Sequence, residues 1–114
     1  MRVAVIGSRG MVVLDLHKYL PLDTTEIVSG GAKGVDTSVK EYANANGIQI
    51  IEFLPEYERY GKFAPLKRNL QIIEYADFVI AFWDGKSRDT KFVIENCKKL
   101  SVGVKVILSN DKKA

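Results

Sequence analysis

A single cysteine and a single histidine in 114 residues exclude whole classes of stabilisation and chemistry. No internal disulfide can form, and the usual zinc ligand sets cannot be assembled. Only three prolines are present, so a proline-rich linker is excluded. The longest unbroken apolar run, Phe78 to Trp83, falls far short of the roughly 18 to 20 residues of a membrane span. No long apolar core is followed by a small-residue cleavage site near Met1, and a cytoplasmic protein is expected. What is present is the composition of an ordinary globule, 46% hydrophobic and 27% charged, of a length that suits one domain. The net charge of +3 is unevenly placed: residues 1 to 57 carry five Lys/Arg against seven Asp/Glu, and residues 58 to 114 carry twelve against seven.

The hydrophobic pattern alternates between two periods. Arg2 to Ile6, Thr25 to Ser29, Ile48 to Phe53, Phe78 to Trp83 and Val104 to Leu108 read as strands. Met11 to Leu20, Val35 to Asn46, Pro65 to Tyr75 and Thr90 to Leu100 read as helices, with Pro65 suited to a first turn and Gly47 to a left-handed stop. The run 78 to 83 is continuous enough to be buried on both faces of a sheet. Between the third strand and third helix lies a loop through Pro55, Tyr57, Tyr60 and Gly61, and residues 110 to 114 read as a solvated tail after a domain spanning 1 to 109. Five strands alternating with four helices predict a doubly wound α/β domain with a mostly parallel sheet. Ligands of such sheets sit outside the carboxyl ends of the strands.

Three loops stand at those ends: Gly7-Ser8-Arg9-Gly10, Gly30-Gly31-Ala32-Lys33-Gly34 with Asp36 beyond, and Asp84-Gly85-Lys86-Ser87-Arg88-Asp89-Thr90. Glycines that open the backbone, hydroxyls, cations and a following helix N-terminus together suit a phosphate. None of the loops is a standard nucleotide fingerprint. The glycines do not make G-x-G-x-x-G, and Gly85-Lys86-Ser87 lacks the first glycine of a Walker loop, where Ile80 stands. A conventional NAD oxidoreductase or P-loop ATPase is therefore not expected. Arg68 and Asn69, one turn into the third helix, add a group able to grip an oxyanion through two hydrogen bonds and a neighbour that donates and accepts.

Taken in order, Gly7-Ser8-Arg9, Ser29 to Asp36, Tyr60-Gly61-Lys62, Lys67-Arg68-Asn69 and Ala76 to Ser87 resemble the YspA/YpsA-related branch of the SLOG superfamily, over about residues 1 to 108. The superfamily includes the LOG phosphoribohydrolases and the DNA-processing protein DprA. The resemblance implies a Rossmann-like three-layer α/β/α sandwich that binds a nucleotide or nucleotide-derived ligand, such as an ADP-ribose compound, for sensing or processing. Taken with the three loops, it implies a ligand site drawn from Gly7, Ser8, Arg9, Gly30, Gly31, Ala32, Gly34, Asp36, Arg68, Asn69, Gly85, Ser87 and Thr90, with Arg68 where LOG enzymes place a substrate-handling arginine and Asp36 either touching a ribose or capping the second helix. The LOG motif P-G-G-x-G-T-x-x-E is altered here. Thr90 keeps the threonine, Asp89 replaces the glycine before it, and Val93 stands where the glutamate of glycosidic cleavage would be.

Two alternatives accompany the binding module. One is a nucleotide hydrolase of the LOG type, with Arg68 positioning phosphate and Asp36 or Asp84 as acid and base. The other is single-stranded nucleic-acid binding of the DprA kind, which the absence of a long basic run or base-stacking array disfavours. Cys97 reads as a buried apolar side chain in line with Val93 and Leu100, and His17 as a surface residue. Trp83, Tyr57 and Tyr60 can each stack on a base or cover a sheet end. No metal is implied, and a flat apolar sheet edge leaves self-association open. The cations at 62, 67, 68, 86, 88 and 91 lie beside two of the loops proposed to form the cleft and read as local compensation for a small phosphorylated ligand.

Overall fold

A computed structural model describes residues 1–8, 15–30 and 35–108, with Asp36 described in its backbone alone. Five strands form one parallel sheet: β1 (Arg2–Gly7), β2 (Glu26–Ser29), β3 (Gln49–Glu52), β4 (Phe78–Trp83) and β5 (Gly103–Leu108), in the order β3-β2-β1-β4-β5. The helices are α1 (Val35–Asn46), the single turn α2 (Tyr57–Tyr60), α3 (Ala64–Tyr75) and α4 (Arg88–Lys99). This is the expected α/β architecture, a single compact Rossmann-like domain.

Alternation along the central strands builds a core on each face. Val3, Val5, Ile27, Ile80 and Phe82 face Val35, Val39 and Ala43 of α1, whereas Ala4, Ile6, Val28, Val79 and Ala81 face Ile72 and Ile73 of α3 and Val93, Ile94 and Cys97 of α4. The four residues Val79 to Phe82 are at most 3% exposed, as a strand covered on both sides must be. Edge strand β5 is less covered, with Val106 39% and Leu108 59% exposed.

The helix ends follow their sequence signals. Gly47 adopts φ +64 and ends α1, Pro65 sits in the first turn of α3, and Ser87 caps α4 by accepting the Thr90 N–H at 3.5 Å. Four expectations need correction. Of the helix expected over Met11 to Leu20, residues 11 to 14 lie outside the described residues, and the remainder contains only a 3-10 turn, Leu16–Lys18. Leu16 alone of that turn is buried, so it lacks the repeating apolar stripe that would hold a longer helix against the sheet. The segment read as loop between β3 and α3 contains α2 and a second 3-10 turn, Gly61–Phe63. The last helix starts at Arg88 rather than Thr90 because Ser87 supplies the cap. Leu100 does not join Cys97 in the core; it is the C-cap and is 50% exposed.

Candidate functional site

In this strand order the chain steps outward from β1 to β2 and β3, then returns through α3 to β4 on the opposite side of β1. Order therefore reverses between β1 and β4, where their carboxyl ends leave a crevice. A cleft of about 550 Å³ lies there. Its walls are Gly7 after β1, Ser29 and Gly30 after β2, Leu54, Pro55 and Tyr57 after β3, Arg68 and Asn69 on α3, and Ser87, Asp89, Thr90 and Val93 at the start of α4.

Arg68 is the best-positioned charged group in the cleft. Its Nη1 donates to the carbonyl oxygens of Gly30 and, at 3.4 Å, Phe53, and its Nε donates to Asn69 Oδ1 at 2.8 Å. A guanidinium has five N–H donors, and these bonds use the Nε–H and both hydrogens of Nη1. The two Nη2 hydrogens have no acceptor among the described residues. Burial pulls the Arg68 pKa below its ordinary value, with Tyr57 and Asp89 acting in the opposite direction. An arginine nevertheless keeps its charge. Asn69 is 5% exposed, and with Oδ1 turned toward Arg68 its Nδ2 remains a donor.

Gly30 gives this arrangement room, because a Cβ there would stand 3.2 Å from Arg68 Nη1 and from Ile72 Cδ1 and would press both side-chain ends back by a few tenths of an ångström. Gly7 is required by another close approach. A Cβ on it would overlap the Val35 side chain at the start of α1 and lie 3.3 Å from Phe82 Cβ. Both glycines thus have packing reasons as well as a place on the cleft wall.

At the opposite wall the β4–α4 turn is tightly organised. The Asp84 carboxylate accepts the Lys86 and Ser87 N–H groups, each at 2.8 Å, and Gly85 supplies φ +81. Those two backbone donors hold the Asp84 carboxyl below its usual pKa. The Asp84 N–H in turn donates to Ser8 Oγ at 3.1 Å, and the Ser8 and Thr90 hydroxyls lie 3.5 Å apart. Ser8 is 1% exposed and also donates its backbone N–H to Phe82 O at 2.9 Å, so it ties β1 to β4 from behind the cleft wall.

Of the expected site residues, the structure thus gathers Gly7, Gly30, Arg68, Asn69, Ser87 and Thr90 around one cleft. Ser8 and Gly85 support that cleft without lining it. Arg9, Gly31, Ala32 and Gly34 lie outside the described residues, as does the Asp36 side chain. Lys62, Lys67, Lys86, Arg88 and Lys91 are exposed, and among the described residues Arg68 is the one cation on the lining. Lys62 and Lys67 instead stand 5.5 and 5.7 Å from the ring centres of Phe63 and Tyr60. Trp83 is half-buried and donates Nε1–H to Ser87 O at 3.0 Å, leaving Tyr57, 61% exposed, as the aromatic at the mouth. Pro55 belongs to the loop noted after the third strand, and Leu54 beside it was not expected at the site, although its position just past β3 marks it. Cys97 is fully buried, with its thiol pKa pushed up to about 11 by desolvation.

A family model, the YspA, cpYpsA-related SLOG family, matches residues 1–60. The chain belongs to that family. The span matched to the SLOG family runs from β1 through α2 and includes the Gly7, Gly30 and Tyr57 walls; Arg68 and the α4 wall lie beyond it. Neither the curated proteins nor the solved structures yielded a match. Membership of the SLOG family suggests a nucleotide-related ligand, bound or processed. Among the described residues no helix is long and apolar enough to cross a membrane, and no group of three His, Cys, Asp or Glu side chains is placed to hold a metal.

Proposed function

We propose that the protein binds a nucleotide or nucleotide-derived phosphorylated ligand, such as an ADP-ribose compound, in the cleft between β1 and β4, with a phosphate against Arg68. The observation that carries this reading is the state of that guanidinium. It is anchored by two carbonyls and an asparagine on one side, and its Nη2 edge has no acceptor among the described residues. A charged group held in this way is pre-organised for an oxyanion, which it can meet with two parallel bonds. Tyr57 and Leu54 offer an apolar mouth on which a base can stack. A larger, shallower hollow of about 620 Å³ beside Phe53 and Tyr75 is less suited, because the charged groups on its lining are Glu56 and Glu74.

A LOG-type hydrolase is less well supported. Val93, at the position of the LOG glutamate, is 2% exposed and packs in the α3–α4 core. Asp84, with its pKa lowered by two amides, stays ionised at neutral pH and is a poor proton donor.

The test is thermal unfolding with AMP and with ADP-ribose. At 100 times the dissociation constant a ligand adds about 2.7 kcal/mol to stability, enough for a clear rise in melting temperature. Arg68→Ala and the milder Arg68→Lys should both remove the rise, the lysine variant because a single ammonium cannot hold two carbonyls and a phosphate edge together. A rise that survives in the folded Arg68→Lys protein, or no rise with either ligand, overturns the proposal.

A further inference from the structure

The α4 wall differs in character from the Arg68 wall. Asp89 lies on the cleft lining in the first turn of α4, where its negative charge already meets the positive end of the helix. Ser87 caps the same turn, and its hydroxyl lies 3.4 Å from that of Thr90. One of the chain's own carboxylates therefore stands beside the helix N-terminus, on the wall that an anion would approach. Asp89 makes no hydrogen bond or ion pair among the described residues, yet its charge acts on Arg68 from within the same cleft. An ionised carboxylate accepts hydrogen bonds and donates none. It repels a phosphate and favours a group that donates, and with Arg68 in the cleft and Lys86, Arg88 and Lys91 close by in the chain, a neutral donor is better suited than a cation.

Resting on the proposed binding of a nucleotide in this cleft, we infer that Asp89 determines specificity by selecting nucleotides whose ribose hydroxyls are free. The phosphate lies against Arg68, and the sugar edge, unphosphorylated, faces α4. Vicinal hydroxyls donating to an acidic side chain are a recurrent way for nucleotide-binding α/β folds to hold a ribose. The pocket thus discriminates by repulsion as well as by attraction, rejecting a second phosphate on the sugar.

The test is calorimetric titration of the full chain with AMP, its 2′-deoxy and 3′-deoxy forms, and adenosine 3′,5′-bisphosphate. For the wild-type protein, removal of at least one hydroxyl should weaken binding by about tenfold or more, the range of a hydrogen bond to a charged group, and the bisphosphate should bind more weakly than AMP. Asp89→Asn keeps shape and removes charge. It should bring the bisphosphate level with AMP or ahead of it, whereas a merely structural role would lower the melting temperature and leave the order of ligands unchanged. AMP binding that depends on Arg68 but ignores both hydroxyls, or a wild-type preference for the bisphosphate, overturns this inference alone. No binding of any of the four overturns this inference, and if ADP-ribose also gives no rise in melting temperature, it falls together with the reading on which it rests.

Discussion

Two aspartates in the α4 turn show how one residue type acquires opposite roles from its surroundings. Asp84 has two backbone N–H groups directed at its carboxylate and organises the turn, whereas Asp89 has no hydrogen-bond partner among the described residues and stands on the cleft wall. The Asp84 bonds favour the charged form, so its folded pKa is depressed. Stability from such a group is present above the unfolded pKa and is lost as pH falls through the folded one. Asp77 acts in the same direction, its carboxylate accepting the Arg2 N–H at 2.8 Å at the opposite end of the sheet. The melting temperature should therefore fall as the pH is lowered below the usual aspartate range, near about 4. In Asp84→Ala that acid-side fall should be shallower, while the neutral-pH melting temperature is lower. Superimposable pH profiles for the variant and wild type, after scaling at neutral pH, would show that the turn does not couple to folding. The sequence marks Asp89 as standing in place of a LOG glycine and Asp84 as a candidate acid or base, but not the opposite roles they take, since that difference lies in where the Lys86 and Ser87 amides point.

At the scale of elements, the strands and long helices were legible because period and burial agree. Val79 to Phe82 is apolar without interruption and is buried without interruption, and α1, α3 and α4 follow stripes that meet the sheet. In the first crossover, residues 15–20 depart from the expected helix. Val13, Leu16 and Leu20 keep a helical spacing, but of the 3-10 turn Leu16–Lys18 only Leu16 is buried, and a local repeat cannot reveal how much of a segment will find a partner. The loop glycines were legible as a group but not in their individual roles. Gly7 and Gly30 were read as openings for a ligand, and each also admits a side chain of the protein itself, Val35 in one case and Arg68 in the other. This predicts an asymmetry between ligand and fold. Gly7→Ala forces a methyl into the start of α1, with Val35 and Phe82 both in the way, and should cost about 1–3 kcal/mol as overpacking does. A paired Gly7→Ala/Val35→Ala change should recover part of that loss, because it removes the overlapping Val35 γ-carbon. Denaturant melts of the two variants measure this, and failure of Val35→Ala to compensate would place the requirement for Gly7 elsewhere than in helix packing.

For the molecule as a whole, the site and the stability share one construction. The cleft exists because β1 and β4 are adjacent while their following segments leave on opposite faces of the sheet, and the same adjacency joins the two cores. Val3, Val5 and Ile80 belong to one core and Ala4, Ile6 and Val79 to the other, yet they alternate along two neighbouring strands paired Val3 to Phe78 through Gly7 to Phe82. Neither face can lose its packing without disturbing a strand that the other face needs. The domain should consequently unfold as a single cooperative unit, with loss of sheet and helix signal coinciding with the change in fluorescence of Trp83, the one tryptophan. Ile27→Ala removes buried volume from the α1 face and Ile73→Ala from the α3 face, and both side chains are 0% exposed. Each should cost about 2–5 kcal/mol, lowering the denaturant midpoint while leaving the slope unchanged. Two cores that melt independently would instead give separated circular-dichroism and fluorescence curves in one variant or the other. The construction also links binding to folding, since a phosphate that engages Arg68 bears through it on Gly30 after β2 and Phe53 after β3. Ligand should thus raise the midpoint of both core variants by the same free energy as in the wild type, and it should do so for both optical signals together.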